Sequence, residues 1–174
     1  MPSLTLAAEL TREHREIDVA IEACIEKLDC GGVHHELLAE TLEALRRHIY
    51  LEEVFLFPPL RDAGIVMPIF VMMREHGQLW RTMDALTDLL ADGNDSLRLR
   101  DTCVQLLDQL HQHNSKEEPV IYPNADTDVP PQTSAELRRF IETGRAPDGW
   151  VCQQAGGRGS TVVLSQPIRQ PESD

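Results

Sequence analysis

Leu10, Ile17, Ile21, Cys24 and Leu28 recur at alternating steps of about three and four, with His14 in register, and draw one apolar stripe along a helix. Ser3 is the expected N-cap of this first helix, and Gly31-Gly32 its end. A second stripe begins near Val33 and carries Leu38, Leu42, Leu45, His48 and Ile49 until Pro58-Pro59 disturbs it. After a short turn at Asp62-Ala63-Gly64, a third holds Ile69, Met72, Met73, His76, Trp80, Met83, Leu86 and Leu90. The polar run 92–96 breaks it, and Ser96 is the expected cap of a fourth, with Leu99, Cys103, Leu106, Leu110, His113 and Glu117 on one face. Four amphipathic helices joined by short connections predict an all-α fold, an antiparallel up-down-up-down four-helix bundle.

Pro119, Pro123 and Pro130-Pro131 then interrupt the regularity, and 132–143 reads as a short fifth helix ending at Gly144. The expected bundle domain covers 1–144. Glycine, proline and polar residues dominate 145–174, an irregular C-terminal extension in which only Thr161-Val162-Val163-Leu164 has extended character. Such an extension is expected to lie against the bundle or a neighbouring molecule.

Composition narrows the partners. A formal net charge of −13 repels both a phosphate backbone and an anionic membrane surface, so nucleic acid and membrane are excluded as partners. No apolar run reaches membrane-spanning length, and the amino terminus lacks a cationic start followed by an apolar segment, so the expected location is the cytoplasm. Cys24, Cys30, Cys103 and Cys152 are widely spaced without a CxxC pair, which predicts free thiols packed as small apolar residues. A homodimer is compatible with the sequence but not demanded by it.

Chemistry enters through a repeat inside the stripes. His48-Ile49-Tyr50-Leu51-Glu52-Glu53, closing on Phe57-Pro58, returns as His113-Asn114-Ser115-Lys116-Glu117-Glu118, closing on Tyr122-Pro123. Upstream of each stands a second pair, Arg12-Glu13-His14 and Arg74-Glu75-His76. Residues four apart on a helix share a face, so His48 with Glu52, and His113 with Glu117, each aim at one point. A buried carboxylate needs a counter-charge, and a cation between imidazoles and carboxylates supplies it. The expected metal ligands are therefore His14, His48, Glu52, His76, His113 and Glu117, a nitrogen and oxygen donor set suited to two iron ions, with zinc or manganese as substitutes.

Other residues near these positions have bland readings. Asp18, one turn after His14, could add a carboxylate, whereas its counterpart Trp80 cannot ligate and roofs the site or fills core volume. Glu53 and Glu118 are rotated about 100° from their ligating neighbours, towards solvent or towards hydrogen bonds behind the ligands. Tyr50 and Tyr122 are expected to pack, and His34, His35 and His111 to be solvated.

With His14-x-x-x-Asp18, His48-x-x-x-Glu52-Glu53, His76 and His113-x-x-x-Glu117-Glu118, the chain resembles the hemerythrin-like, or HHE cation-binding, domain over about residues 10–123. The resemblance implies a non-heme di-iron centre inside a four-helix bundle, with an oxo or hydroxo bridge. Oxygen-carrying hemerythrins have a histidine where Trp80 stands and an aspartate where Glu118 stands. Four histidines with two glutamates are more similar to the set of the repair-of-iron-centres proteins, whose roles involve nitric oxide and oxidative stress. The implied function is a di-iron protein that binds or reacts with oxygen, peroxide or nitric oxide. Alternatives are an iron donor or buffer without turnover, and a plain bundle with satisfied histidines.

Overall fold

A computed structural model describes residues 4–93 and 95–156, and every regular element among them is helical. Helix α1 spans Leu6–Asp29, α2 His35–Leu51, α3 Phe57–Asp62, α4 Val66–Asp92, α5 Ser96–Val120 and α6 Pro131–Thr143. A π-helical turn, Glu52–Leu56, joins α2 to α3, and a 3-10 turn, Tyr122–Asn124, follows α5. The caps differ from expectation by one or two residues. Thr5 caps α1 by accepting from the Ala8 N–H at 3.2 Å, and Asp95 rather than Ser96 caps α5 through the Arg98 N–H at 2.9 Å. Ser3 and the 161–164 segment lie outside the described residues.

Cross-helix contacts fix the topology. Cys24 meets Thr41 and Glu13 meets His48, so α1 and α2 run antiparallel. Glu53 with His76 and Asp84 with Arg46 do the same for α2 and α4. Glu75 with His113 and Thr82 with Gln109 relate α4 to α5, and His14 with Glu118 and Asp18 with His111 return α5 to α1. The four long helices thus close a ring in chain order, as the stripes predict.

The prolines disturb the second helix, as expected, without ending the helical run. Pro58 and Pro59 have no N–H to donate one turn back, so the helical ladder cannot close regularly there. The chain takes a wider turn instead, with the Phe57 N–H bonding the Glu52 carbonyl, five residues back, and continues through α3. In a regular helix a residue five positions on points well away from the first; the wide turn brings Phe57 round to the interior side of Glu52.

The apolar interior is two clusters rather than one. The larger holds Ile17, Ile21, Leu42, Leu45, Leu79, Met83, Leu106 and Leu110 among others. The smaller, built by Leu6, Leu10, Leu51, Leu56, Phe57, Leu60, Ile69, Met72, Ile121 and Tyr122, is closed by Leu137 and Phe140 of α6. Arg47 anchors α6 by donating to the carbonyls of Phe140, Ile141 and Gly144 at the C-terminal end of that helix.

The extension beyond α6 is part of the packing as far as it is described. Trp150 sets its ring edge-on to Trp80 and Tyr50, and Cys152 is buried in the larger cluster. Gly77 permits the approach, because a Cβ there would stand 2.4 Å from the Gln154 carbonyl oxygen. Helix propensity alone favours alanine at this interior position, by about 1 kcal/mol. Gly77→Ala is nevertheless expected to destabilise the protein by about 1–3 kcal/mol, because the clash is with backbone. Urea unfolding and faster amide exchange at 151–156 check this, and unchanged exchange there refutes it.

Candidate metal centre

Between the two apolar clusters lies a polar layer. Along α1 the order is Leu10, His14, Ile17, and along α4 Met72, His76, Leu79. Helices α2 and α5 add His48 and Glu52, and His113 and Glu117. All six side chains are at most 3% exposed.

Each imidazole is held from behind by a carboxylate on a neighbouring helix. Nδ1 of His48 lies 2.9 Å from Glu13, Nδ1 of His113 3.1 Å from Glu75, Nδ1 of His76 3.0 Å from Glu53, and Nδ1 of His14 3.0 Å from Glu118. The pattern has the symmetry of the repeat: the glutamate of each Arg-Glu-His triplet serves the histidine of the same half, and the last glutamate of each HxxxEE serves the triplet histidine of the other. Glu13 is in turn bonded by Arg47 at 2.8 Å, Glu75 by Lys116, and Glu53 by the backbone N–H of Gln153 at 3.0 Å. A carboxylate on Nδ1 fixes the ring orientation and leaves Nε2 as the inward donor atom.

The four Nε2 atoms converge on Glu52 and Glu117. His48 Nε2 is 3.0 Å from Glu52 Oε1, His76 Nε2 3.1 Å from Glu52 Oε2, and His113 Nε2 and His14 Nε2 are 3.1 and 3.5 Å from Glu117 Oε2. Donor atoms of Glu52, His76, His113 and Glu117 lie within 4.8 Å of one another, as do those of His14, His48 and Glu52. Glu52 belongs to both groups. Glu52 Oε2, His76 Nε2 and both oxygens of Glu117 have no hydrogen-bond partner among the described residues, despite these short separations. A buried carboxylate facing imidazole lone pairs is acceptor against acceptor, and only a proton or a metal cation resolves it.

Tyr122 stands inside this arrangement. Its hydroxyl donates to Glu52 Oε1 at 2.6 Å and lies 2.6 Å from His14 Nε2 and 3.3 Å from His48 Nε2. One hydroxyl proton cannot satisfy both close acceptors. The expectation that Tyr122 merely packs is therefore corrected; Tyr50 does pack, against Phe55, Phe140 and Trp150. In the other half the matching position is Phe57, whose ring stacks on His76 at 5.4 Å.

The proton equilibria express the same need for positive charge. Burial pulls His48 and His113 down, but Glu52 and Glu117 overcome it, so His48 is raised well above its ordinary value and His113 is pushed up to about 10. Burial pushes Glu52 up, yet His48 and His76 hold its carboxyl well below the usual range. Burial first, then Glu117 and Glu52, push the Tyr122 hydroxyl well up, so it remains protonated.

The other expectations resolve as follows. Asp18 is not gathered with the grouped donors; it faces His111, which is 53% exposed, at 3.7 Å. Trp80 fills core volume, 5% exposed, under the Arg46 guanidinium. Glu53 and Glu118 brace histidines rather than join the centre. His34 and His35 are exposed. The cysteines are free, and burial pushes Cys103 and Cys152 up to about 12, which leaves them inert thiols. Glu13 and Glu75 had no assigned role in the sequence, although both precede a stripe histidine in the same triplet. Their offset from that histidine turns them to the adjacent helix, where they hold a different one.

The description "Hemerythrin HHE cation binding domain" matches residues 5–125, which include all these side chains. The chain belongs to the hemerythrin HHE family. No curated protein matches it, nor does any solved structure. Within this HHE domain the match ends just after Tyr122, so α6, which closes the smaller cluster, and the 145–156 segment behind Glu53 lie beyond it.

The raised histidines predict a pH signature for the metal-free HHE domain. His113 moves from 6.5 in the unfolded chain to about 10 in the fold, so its contribution is full below about pH 6.5 and is lost as pH rises towards 10. His48 and His76 act in the same direction. Thermal midpoints of metal-free protein should fall across that window, whereas protein loaded with a divalent cation should hold level because the ion replaces the protons. A level profile for the metal-free form contradicts this account.

Proposed function

We propose that this HHE domain is a non-heme di-iron protein in which His14, His48, Glu52, His76, His113 and Glu117 hold two iron ions, and that the pair binds or reacts with oxygen, peroxide or nitric oxide. The observation that supports it is the sharing of Glu52 between two groups of buried donors whose imidazoles are all turned inward by carboxylates. Glu52, common to both groups, is the residue that would serve both cations, and the Tyr122 hydroxyl is a further oxygen on the His14–His48 side. Mixed imidazole and carboxylate donors suit iron, with zinc or manganese as substitutes.

Iron, when bound, supplies a change of oxidation state and coordination positions open to a small ligand. The residues do the rest. Glu13, Glu53, Glu75 and Glu118 orient the imidazoles and raise their basicity, the apolar clusters above and below exclude bulk water, and Tyr122 holds a proton 2.6 Å from Glu52. No helix among the described residues is long and apolar enough to cross a membrane. We read the protein as cytoplasmic, a reading that the four free thiols support. Iron buffering or donation would use the same ligands without turnover.

Purified protein reconstituted without oxygen should contain about two iron atoms per chain and show charge-transfer absorption; less than about half an atom per chain refutes the proposal. Glu52→Ala should empty both positions and Glu117→Ala at least one, by metal analysis. Glu53→Ala should retain both while weakening iron affinity by about 10- to 100-fold, because only the support behind His76 is lost. Tyr122→Phe, which copies Phe57, should leave the iron content intact and alter its absorption spectrum; an unchanged spectrum removes Tyr122 from the centre. Stopped-flow mixing of reduced protein with oxygen, peroxide and nitric oxide distinguishes a stable adduct from repeated turnover and both from iron release.

A further inference from the structure

The two halves of the repeat present different seams to the centre. Where α2 packs on α4, the residues one turn from the ligands are Ile49 and Trp80, 1% and 5% exposed, and the outer position is closed by Arg46, whose guanidinium lies 5.3 Å from the Trp80 ring centroid. Inward of Arg46, which borders an outer cavity with Trp80 and Asp84 and whose own Nε is buried without a partner among the described residues, this seam is apolar. Where α1 packs on α5, the matching positions are Asn114, Asp18 and His111.

Asn114 is 6% exposed, and neither its Oδ1 nor its Nδ2 has a hydrogen-bond partner among the described residues. Asp18 Oδ1 is likewise buried and unpartnered. Helix geometry places Asn114 between the two cross-helix contacts of this seam, His14 with Glu118 at 3.0 Å and Asp18 with His111 at 3.7 Å. Asn114 is also one turn from Glu117, both of whose oxygens are unpartnered. Polar side chains therefore follow one another along this seam from the half-exposed His111, through Asp18 and Asn114, to Glu117 of the centre, and the last three carry buried atoms without a partner among the described residues. A buried amide left wholly unpaired costs several kcal/mol, and a polar site of this kind is where proteins keep bound water.

We propose that the α1–α5 seam is a hydrated column that binds water and admits water-sized polar molecules, such as hydrogen peroxide, to the His14–Glu117 side of the centre, while the α2–α4 seam is sealed. The column's water stands on the unpartnered atoms alone; its use as an access route rests on the di-iron reading above. Peroxide fits because it is of similar size and both donates and accepts hydrogen bonds, matching the amide and carboxylate that line the path. The arrangement also assigns Asn114 a part in selecting what reaches the metals, without contact with them.

Oxygen-17 relaxation dispersion of the metal-free protein counts its long-lived internal waters. Asn114→Leu, which copies the apolar character of the other seam in the same branched shape, should fold and lose part of that signal, whereas Asn114→Ala should keep it. Equal signals in wild type and Asn114→Leu overturn the column. In iron-loaded protein at matched metal content, peroxide should oxidise the reduced centre more slowly in Asn114→Leu, and Ile49→Leu in the other seam should have no effect. Equal rates in wild type and Asn114→Leu overturn the access role. If the protein takes up no iron, the di-iron reading fails while the water measurement still decides the column.

Discussion

Four imidazoles and two carboxylates crowded into one buried layer set the terms for this molecule. Each imidazole has its Nδ1 committed to a glutamate, so its remaining nitrogen faces two fully buried carboxylates and needs a proton or a cation between them. Without positive charge the layer would be among the costliest arrangements a small protein can bury. With it, the same layer is a cage whose donors are already turned towards a common interior. The rest of the bundle serves this layer: helix register, the apolar clusters on either side, and the braces of Arg47, Lys116 and the Gln153 N–H behind the supporting glutamates.

The cage is close to two-fold symmetric in its ligands and asymmetric in its surroundings. Tyr122 opposes Phe57, Asn114 opposes Ile49, and Asp18 opposes Trp80. All three exchanges put the polar residue on the side of His14. Two groups of inward donors are thereby given unequal neighbours, one bordered by a phenol and a polar seam, the other by aromatic and aliphatic surface. Unequal surroundings are how one protein can ask two chemically similar ions to do different things.

The bundle was legible because its stripes are long and regular, and the six inward side chains were legible because they fall within those stripes at repeated spacing. What could not be read has physical causes. The π-helical turn follows from two missing N–H groups, and nothing in an apolar period reveals whether a helix stops or widens there. Tyr122 lies beyond Pro119, after the regular part of α5, so its direction depends on the turn that follows rather than on helical phase. Glu13 and Glu75 were visible as a repeated triplet, but their partners lie on other helices, and a single-helix projection cannot show a contact across a seam. That the extension packs on the bundle was expected, but not that Trp150 and Cys152 make the contact, because a short irregular segment carries no periodic signal.

The division of the interior into two apolar clusters has a bearing on how the molecule comes apart. Neither cluster shares its hydrophobic contacts fully with the other, because the cage lies between them, and cooperativity in small domains depends on continuous contact. Ions in the cage would act as a mechanical coupling between the two ends, so that metal supply governs whether the bundle melts as one unit or frays from the α6 end first. Loss of a bound cation would then be registered as a loosening of the fold itself, open to proteolysis.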